Sequence, residues 1–144
     1  SRMLRELDAA DEARMAEVAD ATAAWARAEA GAGRFAGWVA EADGEPVGAL
    51  TAGVVQMPPG YRVVDGRHAY LFGMFVVPEW RRRGVASALV RLAVEWAERE
   101  GIGLVTLQAS HEGAMLYRTM GFEPGPQMRL YTRHAFSEDD TGCA

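Results

Sequence analysis

Ala69-Tyr70-Leu71-Phe72-Gly73-Met74-Phe75-Val76-Val77-Pro78-Glu79-Trp80-Arg81-Arg82-Arg83-Gly84-Val85-Ala86 is the stretch whose reading decides the fold of this chain. From Ala69 to Val77 it is almost wholly apolar, which suits a central strand buried on both faces. Pro78 ends that strand, because its ring fixes φ and it has no N–H for a ladder. Arg81 to Gly84 turns the chain. A helix is expected from Val85 to Glu100, with Val85, Leu89, Leu92, Ala93 and Trp96 on its apolar face. Arg91, Glu95 and Arg99 recur at i,i+4 on the outer face, and Gly101 supplies the C-cap.

Downstream, Ile102 to Gln108 reads as another apolar strand, Glu112 to Met120 as a short helix closed by Gly121, and Gln127 to Arg133 as a last strand. Strand, turn, helix and strand in that order form a βαβ unit, so its two strands should be parallel neighbours joined by a right-handed crossover. Upstream, Met3 to Leu7 alternates weakly and is a candidate first strand, and Asp8 and Asp11 offer N-caps. A helix follows to Ala30, with Met15, Val18, Ala19, Thr22 and Trp25 at helical spacing, and ends at Gly31-Ala32-Gly33. Phe35 to Ala42 and Pro46 to Gln56 are strands joined by Asp43-Gly44, a strong hairpin signal. Pro58-Pro59-Gly60 breaks the second of them, and a loop runs to Gly66. The fold class is α+β, with one central mixed sheet flanked by helices. Residues 1–144 read as a single domain, of which 135–144 form an acidic tail expected to be flexible.

Composition narrows the function. The 144 residues are 49% hydrophobic and 9% aromatic, enough for one compact core. The net charge of −5 and a pI near 5.2 disfavour a nucleic-acid partner for the chain as a whole. The single cysteine, Cys143, cannot form an internal disulfide, which fits a reducing, cytoplasmic setting. No apolar run approaches the ~20 residues of a membrane span, and no charged-then-apolar leader is read, so no membrane partner is expected.

The turn from strand to helix carries the chemistry. A helix N-terminus presents unpaired N–H groups and partial positive charge, a ready site for phosphate. Gly84 and Ala86 keep the backbone uncrowded, and Arg81, Arg82 and Arg83 concentrate positive charge on an otherwise acidic chain. Neither Gly-x-x-x-x-Gly-Lys nor Gly-x-Gly-x-x-Gly is present. Taken alone, the loop fits a diphosphate site and a solvated helix entry equally well.

Two motifs then carry a resemblance. Val76-x-Pro78 followed by Arg81-x-x-Gly84-x-Ala86 resembles the acetyl-coenzyme A motif of the GNAT superfamily of N-acetyltransferases. Leu116-Tyr117-Arg118-Thr119-Met120-Gly121-Phe122 is similar to that family's Leu-Tyr-x-x-x-Gly-Phe, a helix and a strand further on. The resemblance implies the GNAT fold, a mostly antiparallel sheet whose two parallel central strands splay in a V. It implies acetyl-CoA as acyl donor and no metal. The pantetheine arm would lie in the gap like an added strand, on the backbone of Met74, Phe75 and Val76. Arg81, Arg82, Arg83, Gly84, Val85, Ala86 and Ser87 would hold the diphosphate, and Ser110 would stand where many relatives have a cofactor-contacting Asn.

The implied reaction is attack of an amine on the thioester, with a backbone N–H near Phe75 or Val76 at the oxyanion. Tyr117 matches the family's general acid, and its other role is a packing tyrosine. The partner implied is a small-molecule or peptide amine, and relatives often form homodimers. Relatives often carry a strand carboxylate as base, but Ala69 to Val77 and Ile102 to Ala109 contain none, leaving Gln108, His111, Glu112, His68 and Glu41 as the nearest polar groups. A base is worth ~10²–10⁴-fold, so its absence favours an acceptor of low amine pKa or one deprotonated through water. Trp25, Trp38, Tyr61, Phe72 and Phe75 are candidate walls of the acceptor pocket, and core packing is the alternative for Trp38, Phe72 and Phe75. The competing functions are a non-catalytic acyl-CoA sensor and nucleic-acid binding through the arginines.

Overall fold

In the computed structural model, which describes residues 9–125 and 127–135, Asp43 and Gly44 both take positive φ, 53° and 81°. That is the geometry of a two-residue hairpin turn matched to strand twist. It joins β1 (Phe35–Ala42) to β2 (Glu45–Gln56). β2 pairs antiparallel with β3 (Arg67–Val76), and β3 pairs parallel with β4 (Leu104–Leu107), giving the order β1-β2-β3-β4. The mixed sheet and the parallel β3–β4 pair are as expected from the βαβ pattern.

The helix between the parallel strands, α2 (Val85–Arg99), covers one face of the sheet. Leu50, Ala52, Ala69 and Leu71 of the sheet and Leu89, Val90, Ala93 and Ala97 of α2 are buried together with Ile102. Leu92 was expected on this face but is 45% exposed, while Val90 and Ala97 are buried. At about 100° per residue, the buried arc is centred between Ala93 and Ala97, so Val90 falls within it and Leu92 lies about 120° away. Gly48 lets the start of α2 approach β2 closely, since a Cβ there would lie 2.9 Å from Val85 Cγ1. Ile102 N–H bonds Ala97 O at 2.9 Å, and Gly101 N–H bonds Glu98 O at 3.1 Å, closing α2 in a Schellman cap.

The opposite face meets α1 (Ala9–Gly31). The helix already runs at Ala9, so Asp11 lies inside it and is not its cap. The expected strand at Met3 to Leu7, the Asp8 cap, the side chain of Met15 and the tail beyond Ala135 lie outside the described residues. Val18, Ala19 and Thr22 are exposed, so the anticipated apolar stripe of α1 is not a buried stripe. Trp25 is the residue that docks, edge-on to Phe35 and Phe72 at 5.6 Å from each. Arg34 returns the chain to the sheet, its guanidinium donating to Glu29 at 2.8 and 3.2 Å. That hydrogen bond holds the Glu29 carboxyl below its ordinary pKa. Because one face is only partly covered, β3 is not buried on both sides. Ala69 and Leu71 are buried, and Phe75 is 49% exposed.

These elements form one compact unit ending at Ser110, and a second begins at His111. The second holds α3 (His111–Thr119). The strand expected at Gln127 to Arg133 is not formed: apart from the undescribed residues, 122–132 follow no regular structure. A strand needs a partner edge, and the described residues of this unit offer none. Met128, Leu130 and Tyr131 are accordingly exposed at 93%, 86% and 73%.

Candidate functional site

The pairing of β3 with β4 stops at Leu71↔Leu107, although β3 continues to Val76. From Phe72 to Val76 the strand keeps β2 on one side and has no strand on the other among the described residues. The sequence explains why the two part at this point. Between the pairs Thr51↔Phe72 and Ala49↔Phe75, β3 places Gly73 and Met74 opposite the single residue Leu50. Gly73 has φ +69°, so this is a β-bulge of the glycine type, which bends and twists its strand. Thr51 Oγ1 donates to Phe72 O at 2.5 Å and fastens the bulge to β2. The open edge therefore carries Met74, Phe75 and Val76, the residues expected to hold the cofactor arm.

Beyond the edge, Pro78–Trp80 makes one turn of 3-10 helix, and Val77 N–H bonds Val47 O at 2.8 Å. Arg82 and Gly84 both take positive φ, 61° and 82°, and Gly84 is the N-cap of α2. Gly84 has no side chain to satisfy the helix start. Ala88 N–H reaches Gly84 O at 3.0 Å, while the N–H groups of residues 82–87 have no acceptor among the described residues. A row of free amides at the positive end of a helix is an anion site.

The three arginines are not equivalent. Arg81 Nε donates to Val76 O at 3.2 Å and ties the turn to the end of the open strand. The Arg83 guanidinium stacks over Trp80, 4.7 Å from the ring centroid. Arg82 has no such partner among the described residues and is exposed. Its left-handed backbone costs of order 1–2 kcal/mol for a residue with a Cβ.

In the second unit, Phe122 N–H bonds Tyr117 O and Gly121 N–H bonds Arg118 O, both at 3.0 Å, with Gly121 at φ +99°. This too is a Schellman cap, and the Tyr117 and Phe122 rings meet edge-on at 5.9 Å. The spacing Tyr-x-x-x-Gly-Phe is therefore a helix stop that pins the ring of Tyr117. Burial pushes the phenol pKa above the usual tyrosine value, so it is held in its protonated, donating form.

An open groove of about 400 Å³ lies between α1 and the sheet, lined by Ala21, Thr22, Trp25, Tyr70 and Phe72. Two of the expected pocket walls, Trp25 and Phe72, are in it. Trp38 is on the other face, packed edge-on against Trp96 of α2 at 5.9 Å, so it serves the core. Tyr61 projects fully into solvent from its loop, and Phe75 lies further along β3. Tyr70 was missed, although its i,i+2 spacing with Phe72 places both on one strand face. Gly73 and Thr51 were missed as well. Ser110 is exposed just beyond β4, and His111 and Glu112 open α3. His68 sits at the start of β3, paired with Leu104. Among the described residues no three His, Cys, Asp or Glu side chains converge, and no helix is long and apolar enough to cross a membrane.

Comparison with known proteins places these features in a family. A profile of the acetyltransferase (GNAT) family matches residues 2–122. The chain is 35% identical over 111 residues to N-acetyltransferase family 8 member 2 of Rattus norvegicus, covering 75% of this chain and 45% of that protein. It is 37% identical over 89 residues to the L-amino acid N-acetyltransferase AaaT of Escherichia coli K12, covering 59% of this chain and 51% of that protein. The chain thus spans about half the length of these relatives. Among solved structures, a GCN5-related N-acetyltransferase from Ralstonia eutropha superposes with a TM-score of 0.74 at 28% identity, over 83% of this chain and 78% of that one. AAC(6')-Iy in complex with a CoA-S-monomethyl-acetylneamine bisubstrate analog superposes with a TM-score of 0.65 at 25% identity, over 81% and 80%.

Proposed function

The chain belongs to the GNAT family of acetyltransferases, and on that premise we propose that it transfers the acetyl group of acetyl-CoA to a primary amine of a small molecule or peptide. The observation that carries this reading is the pairing of an open strand edge at Phe72 to Val76 with a row of unpartnered amides at Arg82 to Ser87. An extended pantetheine arm and a diphosphate need those two features, in that order along the chain. The bisubstrate complex of AAC(6')-Iy supports coenzyme A as the donor in this fold. The name of the E. coli relative makes an amino-acid α-amine a reasonable acceptor to test. The family match spans the first unit and continues to residue 122 in the second, which supports reading the two as parts of one acetyltransferase domain.

Each group then has a role. The amides of residues 82–87 and the Arg82 guanidinium bind the diphosphate. The free edge at Met74, Phe75 and Val76 aligns the arm, and a backbone N–H there stabilises the oxyanion as the amine nitrogen bonds to the thioester carbon. When the C–S bond breaks, sulfur leaves as thiolate and takes a proton from Tyr117. Tyr117 is assigned on its own motif and on its protonated phenol. The amine proton leaves to water. Ser110 is retained as a contact to the cofactor arm.

A thiol-release screen with acetyl-CoA against amines, amino acids and peptide N-termini tests the reading, alongside calorimetry with acetyl-CoA. Heat of binding and release with at least one amine are expected. A cofactor that binds without any release would favour the sensor instead, and no heat at all would remove the donor assignment.

A further inference from the structure

We propose that the groove between α1 and β3 is an apolar side-chain subsite, and that the acceptor is a compact primary amine carrying an aromatic or branched aliphatic group. The inference rests on the acetyl-transfer reading for its reaction and on independent observations for its specificity. The groove is lined by Ala21, Thr22, Trp25, Tyr70 and Phe72, and among the described residues no charged side chain lines it. Its volume of about 400 Å³ lies at the small end of the range for ligand sites. Phe72, Tyr70 and Trp25 already stack on one another, Phe72 to Tyr70 at 5.9 Å and 28°, Phe72 to Trp25 edge-on at 5.6 Å. A planar apolar group joins such a cluster without new polar groups to satisfy.

Position fixes the occupant. Phe72 is both a wall of the groove and the residue at which β3 parts from β4. The reacting carbonyl is assigned to the edge at Met74, Phe75 and Val76, which begins two residues and so about 7 Å of strand beyond Phe72. An amine at the near end of that edge reaches the groove if its apolar group begins two to four bonds from nitrogen and the length of the group itself covers the rest of the span. A long polyamine or an amino sugar would place charge or hydroxyls against Trp25 and Phe72 with no partner, which is unfavourable.

The test uses the full chain and four probes: phenethylamine, L-phenylalanine, spermidine and glucosamine. The expected kcat/KM favours the two aromatic amines by roughly tenfold to a hundredfold, the transfer value of one buried ring. Ala21 is an exposed helix residue, so Ala21→Trp fills the groove without touching the core. It should raise KM for phenethylamine about tenfold and leave the calorimetric affinity for acetyl-CoA unchanged. Binding is read separately from the indole N–H NMR resonance of Trp25, identified by its loss in Trp25→Phe. Phenethylamine should shift that resonance, and Ala21→Trp should abolish the shift. A shift in a chain that releases no thiol keeps the subsite and removes the acetyl-transfer reading. Acetyl-CoA binding with spermidine preferred, or an Ala21→Trp variant with unchanged phenethylamine KM and shift, overturns the subsite.

Discussion

Replacing Gly73 by alanine should destabilise the first unit by about 2–3 kcal/mol, and the structure divides that figure into two parts. Gly73 stands at φ +69°, where any residue with a Cβ loses about 1–2 kcal/mol. A Cβ would also lie 3.0 Å from Thr51 Oγ1, the hydroxyl that donates to Phe72 O at 2.5 Å. Thr51 can rotate away, but it then gives up that hydrogen bond, a further loss of about 1 kcal/mol. Together these lower the melting temperature by roughly 5–20 °C. Urea unfolding followed by circular dichroism measures the loss. In a Thr51→Ala background the second part disappears, so the double-mutant cycle should show about 1 kcal/mol of coupling. Gly84→Ala is the control: at φ +82° with no atom within 4 Å of a Cβ, it suffers the torsional part alone. The reasoning fails if Gly73→Ala costs no more than Gly84→Ala, or if the coupling falls below about 0.3 kcal/mol.

Tyr117→Phe should lower kcat by roughly 10²-fold or more, with the affinity for acetyl-CoA intact by calorimetry. Because burial raises the phenol pKa, the donor is present at every pH below it, and the wild-type rate should fall on that account only above about pH 10. Phe122→Ala removes the ring that pins Tyr117. It should reduce kcat several-fold while leaving KM for acetyl-CoA unchanged in steady-state kinetics. Arg82→Gly should separate stability from binding: relief of the left-handed backbone raises stability by up to about 1 kcal/mol in urea unfolding, while acetyl-CoA affinity drops, most visibly at low salt. The acid limb of kcat/KM should follow the acceptor's own amine pKa from one substrate to the next, as pH–rate profiles with two amines of different basicity would reveal.

The parts of the fold that could be read from the sequence are those whose residues act locally. Asp43-Gly44 needs only its own torsions to make a turn, and Gly84 needs only its own to open a helix. Tyr117, Gly121 and Phe122 are linked by a cap that closes within six residues. The bulge at Gly73 was not legible in the same way. It lies inside an unbroken apolar run, and its signature is a mismatch of residues between β2 and β3, which exists only once the strands are paired. The strand expected at 127–133 fails for the same reason, since Met128 and Leu130 alternate correctly but a ladder is a property of two segments. Tyr70 was hidden by its company: in a run apolar at every position, alternation does not say which face is covered.

The missing carboxylate and the apolar groove bear on one another. β3 and β4 carry no acid, and among the described residues no charged side chain lines the groove beside them. An ammonium entering such a place loses hydration and gains no counter-charge, so its pKa falls and its neutral form is favoured. A lysine-like amine of pKa ~10.4 begins several hundred-fold poorer in neutral form than an α-amine of pKa ~7.8. That handicap is comparable to the ~10²–10⁴-fold value of a general base. A site without a base can therefore work on a weakly basic amine that it desolvates, and it would work poorly on a strongly basic one. The walls that select an apolar group would then also help to strip the proton from the nitrogen attached to it.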